Sequence, residues 1–104
     1  MATVRDNAVE HRYEVHEGTV LAGFVTYERR DSTITFVHTE TEPGHEGKGI
    51  AKQLVTTVLA EARAQGLSVL PRCPYVRKVI ADNPGEYLDL VPIGARAAYG
   101  LPSG

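Results

Sequence analysis

Around residue 43 the chain changes its hydrophobic period, and that change restricts its fold more than any other feature. Before it, apolar residues alternate with polar ones or cluster with β-branched and aromatic neighbours, as strands require. Tyr13 and Val15 stand against Glu14 and His16, and Glu17-Gly18 supplies a turn. The run 19–27 is rich in β-branched and aromatic residues, so the two runs read as a hairpin. The polar set 28–32 makes a second turn, and residues 33–40 make a third strand. Pro43 and Gly44 end it. Beyond them Ala51, Leu54, Val55, Val58, Leu59 and Ala62 recur at helical spacing, and Gly66 stops that helix. Residues 67–70 form a short strand. A helix separates it from the third strand, so the two can pair in parallel as a crossover unit. Cys73-Pro74 opens a second helix, because proline is well placed in a first turn. Tyr75, Val76, Val79 and Ile80 are its apolar side, and Asn83-Pro84-Gly85 ends it. Tyr87, Leu88, Leu90 and Val91 dock a final segment. The order β-β-β-α-β-α predicts an α/β (α+β) fold, a mixed sheet with helices laid on it.

The bulk properties agree with one such domain. The chain has 104 residues, of which 42% are hydrophobic and 23% charged, ordinary values for a single globular unit. Its core is expected over residues 12–91, with residues 1–8 and 97–104 as loose, flexible ends. The net charge of -2 and the pI near 6.0 give no pull toward nucleic acid or an anionic membrane. Cys73 is the single cysteine, so no internal disulfide forms and a reducing compartment fits. The first ten residues lack the apolar run of a signal peptide. No stretch is long and apolar enough to span a bilayer. A cytoplasmic protein, monomeric or weakly dimeric, is the expectation.

The segment Glu46-Gly47-Lys48-Gly49-Ile50-Ala51 follows a strand and opens an amphipathic helix. Glycines there allow close backbone approach. The first N–H groups of a helix lack intrahelical partners, and its dipole favours an anion. A pyrophosphate meets that need. The Walker motif is excluded, because Gly49 rather than serine or threonine follows Lys48. The dinucleotide fingerprint is excluded, because Lys52 stands where it needs a third small residue. From the loop alone, an anion site and a plain glycine turn into a helix both stay open.

His38-Thr39-Glu40, the loop Gly47-Lys48-Gly49-Ile50-Ala51, Cys73-Pro74-Tyr75-Val76 and the closing run from Pro84-Gly85-Glu86-Tyr87 through Val91 together resemble the short, YjdJ-like branch of the GCN5-related N-acetyltransferases. The resemblance covers about residues 13–91. It implies a cofactor cleft between the third and fourth strands, which splay apart there. It implies acetyl-CoA as cofactor, with the pantetheine arm pairing with backbone at Thr39, Glu40 and Thr41. The pyrophosphate would lie on the N–H groups of Gly47, Lys48, Gly49, Ile50 and Ala51. Cys73 and Tyr75 would line the thioester pocket, and Lys78 would reach the nucleotide end. Two departures stand out. Larger members usually carry glutamine or arginine where Glu46 sits. A carboxylate there repels a pyrophosphate unless it points outward and Lys48 or Lys52 screens it. The chain also lacks the helices and late strands that build the acceptor wall in larger members. The acceptor is therefore an unidentified amine, small molecule or protein.

Amine acetylation needs a proton acceptor for the amine and a donor for the leaving thiolate. Glu40, at a strand end beside the implied cleft, reads either as that acceptor or as an exposed carboxylate. His38 shares its strand face and reads as a base near neutral pH or as a structural histidine. Cys73 precedes a helix N-terminus, where a thiol can be activated. It could carry the acetyl group, or it could fill space as a small buried thiol. Tyr75 is a leaving-group donor or core. Lys78 is a cofactor contact or a solvated lysine. His11, His16 and His45 are expected at the surface. His38, Glu40, Glu42 and His45 fit no zinc spacing. The His38-x-Glu40 pair lacks the second cysteine that a zinc deaminase needs, so no metal is expected. Three functions follow: an N-acetyltransferase, a CoA-binding module without catalysis, and an interaction domain that has lost the ligand.

Overall fold

The computed structural model describes residues 2–103; Met1 and Gly104, included in the expected domain and its loose ends, lie outside them. Five strands form one sheet in the order β1-β2-β3-β4-β5. They are β1 (Ala2–Asn7), β2 (Arg12–Glu17), β3 (Val20–Arg30), β4 (Thr33–Thr41) and β5 (Ser68–Pro71). Two helices of more than one turn, α1 (Ile50–Ala64) and α2 (Pro74–Asp82), follow β4 and β5. Short helical turns at Pro84–Tyr87 and Ile93–Arg96, with 3-10 turns at Leu88–Leu90 and Ala97–Tyr99, complete the described chain. The mixed sheet, the crossover through α1 and the parallel pairing of β4 with β5 are as the period change predicts.

Both helices bury their apolar sides in one core. Leu54, Val55, Val58 and Leu59 of α1 and Val76 and Ile80 of α2 meet Val15, Val25, Ile34, Phe36 and Val69 of the sheet. Gly66, in the left-handed region at φ 69°, lets the chain leave α1 and enter β5 after a single further residue. Cross-strand register sorts the opposite face into rows. Arg12, Thr26 and His38 align in one row, and Glu14, Phe24 and Glu40 in the next. The Arg12 guanidinium lies 4.4 Å from the centre of the Phe24 ring, a cation–π contact.

Four expectations are corrected. The N-terminal residues are a strand rather than a loose end: β1 pairs antiparallel with β2 from Ala2↔Glu17 to Asn7↔Arg12. Its ladder is supplemented by side chains. Asn7 Nδ2 donates to Glu14 Oε2 at 2.9 Å, and the Tyr27 hydroxyl donates to Asp6 Oδ1 at 2.5 Å. Burial and that carboxylate push the Tyr27 phenol well above its ordinary value. Second, β3 continues to Arg30, so the turn shrinks to Asp31 and Ser32, with Asp31 at φ 55°. Third, Glu14 breaks the expected alternation. It is buried, and burial raises its pKa, but hydrogen bonds from Asn7 and Arg12 outweigh this and leave it lowered. His16 turns toward it (Nε2–Oε1 3.5 Å) and is half-buried rather than at the surface. Fourth, the end of the chain is docked, not frayed. Leu101 is buried, and the Arg96 guanidinium donates to the carbonyls of Val91 at 2.9 Å, Leu88 at 3.0 Å and Ser103 at 3.2 Å.

Candidate active site

Strand β4 pairs with β3 along its length but with β5 only from Thr33↔Ser68 to Phe36↔Pro71. One further link, Cys73 N–H to the Phe36 carbonyl at 2.8 Å, ends that pairing. The chain then turns into α2, where Pro74 occupies the first helical position and Cys73 the N-cap. Among the described residues, nothing pairs with the backbone of 38–41 on the side facing α2. A bulge sits at this point: Thr26 faces His38 while Tyr27 faces Phe36, so Val37 is extra. Bulges re-aim side chains and often stand at functional edges.

Beyond the bulge the side chains divide between two faces. Thr39 turns toward the core, and its Oγ1 lies 3.1 Å from Cys73 Sγ. Cys73 itself is only 2% exposed. His38 and Glu40 project from the opposite face, with Nε2 and Oε2 3.7 Å apart and side chains 62% and 52% exposed. The structure thus brings His38 to Glu40 and Thr39 to Cys73, but puts the two pairs on opposite sides of one strand. Tyr75 is half-buried against the core. Lys78 is on the exposed side of α2, where a hydrogen bond to Asp82 (2.9 Å) raises its pKa.

Past Thr41, Glu42 N–H still bonds to the Ala22 carbonyl at 2.8 Å, and His45 N–H closes a turn on Glu42 at 3.0 Å. Gly44, Gly47 and Gly49 then take φ values of 90°, 79° and 71°, a conformation that disfavours any side chain. Gly49 is the N-cap of α1 and offers no capping side chain. The first helical bond runs from Gln53 N–H to the Gly49 carbonyl at 3.0 Å. The N–H groups of Ile50, Ala51 and Lys52 therefore lack intrahelical partners. They form a donor set of the kind a phosphate needs. Ile50 anchors it, because its side chain is buried over β3 beside Gly23.

Glu46 is exposed but folds back on its own loop. Its Oε1 accepts the Gly44 N–H at 2.7 Å. Its own N–H and that of Gly44 hold its carboxyl below the usual range. Lys48 turns instead to Glu17, at 3.6 Å, and His45 Nδ1 lies 2.5 Å from the same Glu17 oxygen. His45 is consequently half-buried rather than at the surface.

Two polar side chains that brace these segments had no signal in the sequence. Glu17 reads there only as a turn residue. Arg77 folds back over the start of α2, donating to the carbonyls of Arg72 (2.9 Å) and Pro71 (3.3 Å), with the Tyr99 ring 5.6 Å away. Among the described residues, no group of three or more His, Cys, Asp or Glu is placed to hold a metal, and no helix is long and apolar enough to cross a membrane.

Residues 12–90 match the model of a family described as GCN5-related N-acetyl-transferase. The chain belongs to that family. Two solved structures share the fold of this GCN5-related N-acetyltransferase domain. One is a GCN5-like protein from Staphylococcus aureus, 20% identical, with a TM-score of 0.63 over 86% of this chain and 87% of that one. The other is the ribosomal-protein-alanine N-acetyltransferase of Brucella melitensis biovar Abortus 2308. It is 22% identical, with a TM-score of 0.54 over 78% of this chain and 60% of its own. No curated protein matches.

Proposed function

We propose that this chain binds acetyl-CoA in the gap between β4 and α2 and transfers the acetyl group to an amine. The carrying observation is the unpaired β4 edge at 38–41, which runs directly into the glycine loop at the start of α1. An extended amide-bearing arm could pair with that edge, and a pyrophosphate could take the free N–H groups of 50–52 and their neighbours. Acetyl-CoA supplies a thioester carbonyl. Glu40, with His38 beside it, takes the proton that the amine loses as it attacks. Both are open to solvent, so an amine can approach from the sheet face that the helices leave free. Thr39, Cys73 and Tyr75 line the other side, where Tyr75 is the candidate proton donor to the departing thiolate.

Direct transfer suits Cys73 better than a covalent route. A thiol 2% exposed and engaged with Thr39 is placed to shape a pocket rather than to present an acyl group to an incoming amine. Cys73→Ala should therefore weaken transfer and not abolish it, and acetyl-CoA should leave no acetyl mass on the protein.

Calorimetric titration of CoA and acetyl-CoA, with acetylation assayed over a panel of amines and peptides, tests the reading. Binding with turnover that falls in Glu40→Gln supports it; no binding to either ligand overturns it. A second reading, a CoA-binding module without catalysis, is favoured by the exposure of His38 and Glu40 on an open face. Their side chains are 62% and 52% exposed there. Tight CoA binding without turnover would select it.

A further inference from the structure

The turn between β2 and β3 touches the glycine loop through a single carboxylate. Glu17, the last residue of β2, places Oε1 2.5 Å from His45 Nδ1 and 3.6 Å from Lys48 Nζ. His45 and Lys48 bracket Glu46 and Gly47, and the free N–H groups of α1 begin two residues later. The two contacts differ in kind. His45 is 17% exposed and its hydrogen bond is short, so it is a fixed point. Lys48 is 53% exposed and its ion pair is long; such pairs are worth little against water. A pyrophosphate at the head of α1 would outbid one carboxylate for Lys48, because it brings more negative charge to the same place. His45, less exposed and in the shorter bond, is the harder of the two to draw away from Glu17.

We infer that Glu17 is a positioning residue for the anion site. Through His45 it holds the loop in the curve that presents the amides ahead of α1, and it keeps Lys48 nearby until a phosphate takes that lysine over. The loop's other bonds are local to it: His45 N–H to the Glu42 carbonyl and Gly44 N–H to Glu46 Oε1. Gly44, Gly47 and Gly49 are free to take other conformations, and a Cβ built on any of them meets nothing within 4 Å. Without the tether, the ligand must order the loop itself. This inference rests on the acetyl-CoA reading of the site.

The test is a double-mutant cycle on Glu17→Ala and His45→Ala, reading the Kd of CoA, the KM of acetyl-CoA and kcat. Each single variant should raise Kd and KM by about 5- to 20-fold, the order expected when a ligand must fix roughly one more loop residue. The value of kcat and the acceptor KM should stay within about 2-fold, because His38, Glu40 and Cys73 are untouched. The double variant should be no worse than either single, and Glu17→Gln, which keeps an oxygen for His45, should bind within about 3-fold of wild type. Wild-type binding with unchanged single variants, or additive effects in the double, overturns the inference and leaves the acetyl-CoA reading intact. Absence of CoA binding in the wild type removes that reading, and the inference falls with it.

Discussion

Gly23→Ala is expected to damage the fold and the cofactor edge together. Gly23 stands opposite Thr41, at the end of the β3–β4 ladder. A Cβ built there lies 2.8 Å from the Glu40 carbonyl oxygen, 3.4 Å from Ile50 Cγ2 and 3.5 Å from Thr41 Cα. Its φ is ordinary, so the constraint is space and not conformation. The neighbour at 2.8 Å is backbone and cannot swing aside, so β4 must retreat by about half an ångström to reach normal van der Waals distance. Such overpacking costs about 1–3 kcal/mol. The reduced entropy of the unfolded chain returns about 0.4–1 kcal/mol. The middle of these ranges leaves a net loss of about 1.3 kcal/mol, which lowers Tm by roughly 5–10 °C in a domain of this size. The atoms that move belong to Glu40, Thr41 and Ile50, which are the pantetheine edge and the first residue of α1 in the proposed complex. CoA affinity should therefore fall further than in Ile34→Val, a core trim costing about 0.5–1.5 kcal/mol at the far end of β4. Thermal melts and calorimetric titration of both variants decide. An unchanged or higher Tm in Gly23→Ala, or a Kd shift no larger than in Ile34→Val, refutes the reasoning.

Two further outcomes are expected. Arg96→Met should cost about 2–4 kcal/mol in urea unfolding, because it strips the buried Leu88 and Val91 bonds, and the partly buried one to Ser103, of their common donor; a loss below about 1 kcal/mol would show that water replaces the guanidinium. Glu14 has a folded-state pKa below its unfolded value of 4.5, so its contribution is complete above that pH and is lost as pH falls through the folded value. Between about pH 6 and pH 3 the wild type should lose more stability than Glu14→Gln, measured by urea midpoints; equal losses would mean that Glu14 is not held ionised by Asn7 and Arg12.

Much of the framework is legible in the residues themselves. The shift from period 2 to period 3.6, the Glu17-Gly18 turn and the Gly66 stop are local signals, and each matches the structure within a few residues. What escapes local reading depends on a distant partner. Strand β1 has only two apolar residues against the core, Ala2 and Val4, and becomes a strand because Val15 and its neighbours offer an edge to pair with. Glu14 looks like a surface residue until Asn7 and Arg12 supply its hydrogen bonds. Arg96 looks solvated until the last turns of the chain fold around it.

The candidate site divides in the same way. By itself the sequence determined that a glycine loop opens α1 and that Pro74 starts a helix just after Cys73. Glycine's access to positive φ and proline's fixed φ are properties of single residues, independent of what lies across the sheet. Only the tertiary structure decided that the β4–β5 pairing stops at Phe36 and Pro71, and that Thr39 faces Cys73 while His38 and Glu40 face the other way. It also brought Glu17 to His45, 28 residues later in the chain. Those arrangements come from strand register and a bulge, in which one extra residue changes which side chains share a face, so they exist only once β3, β4 and β5 have paired.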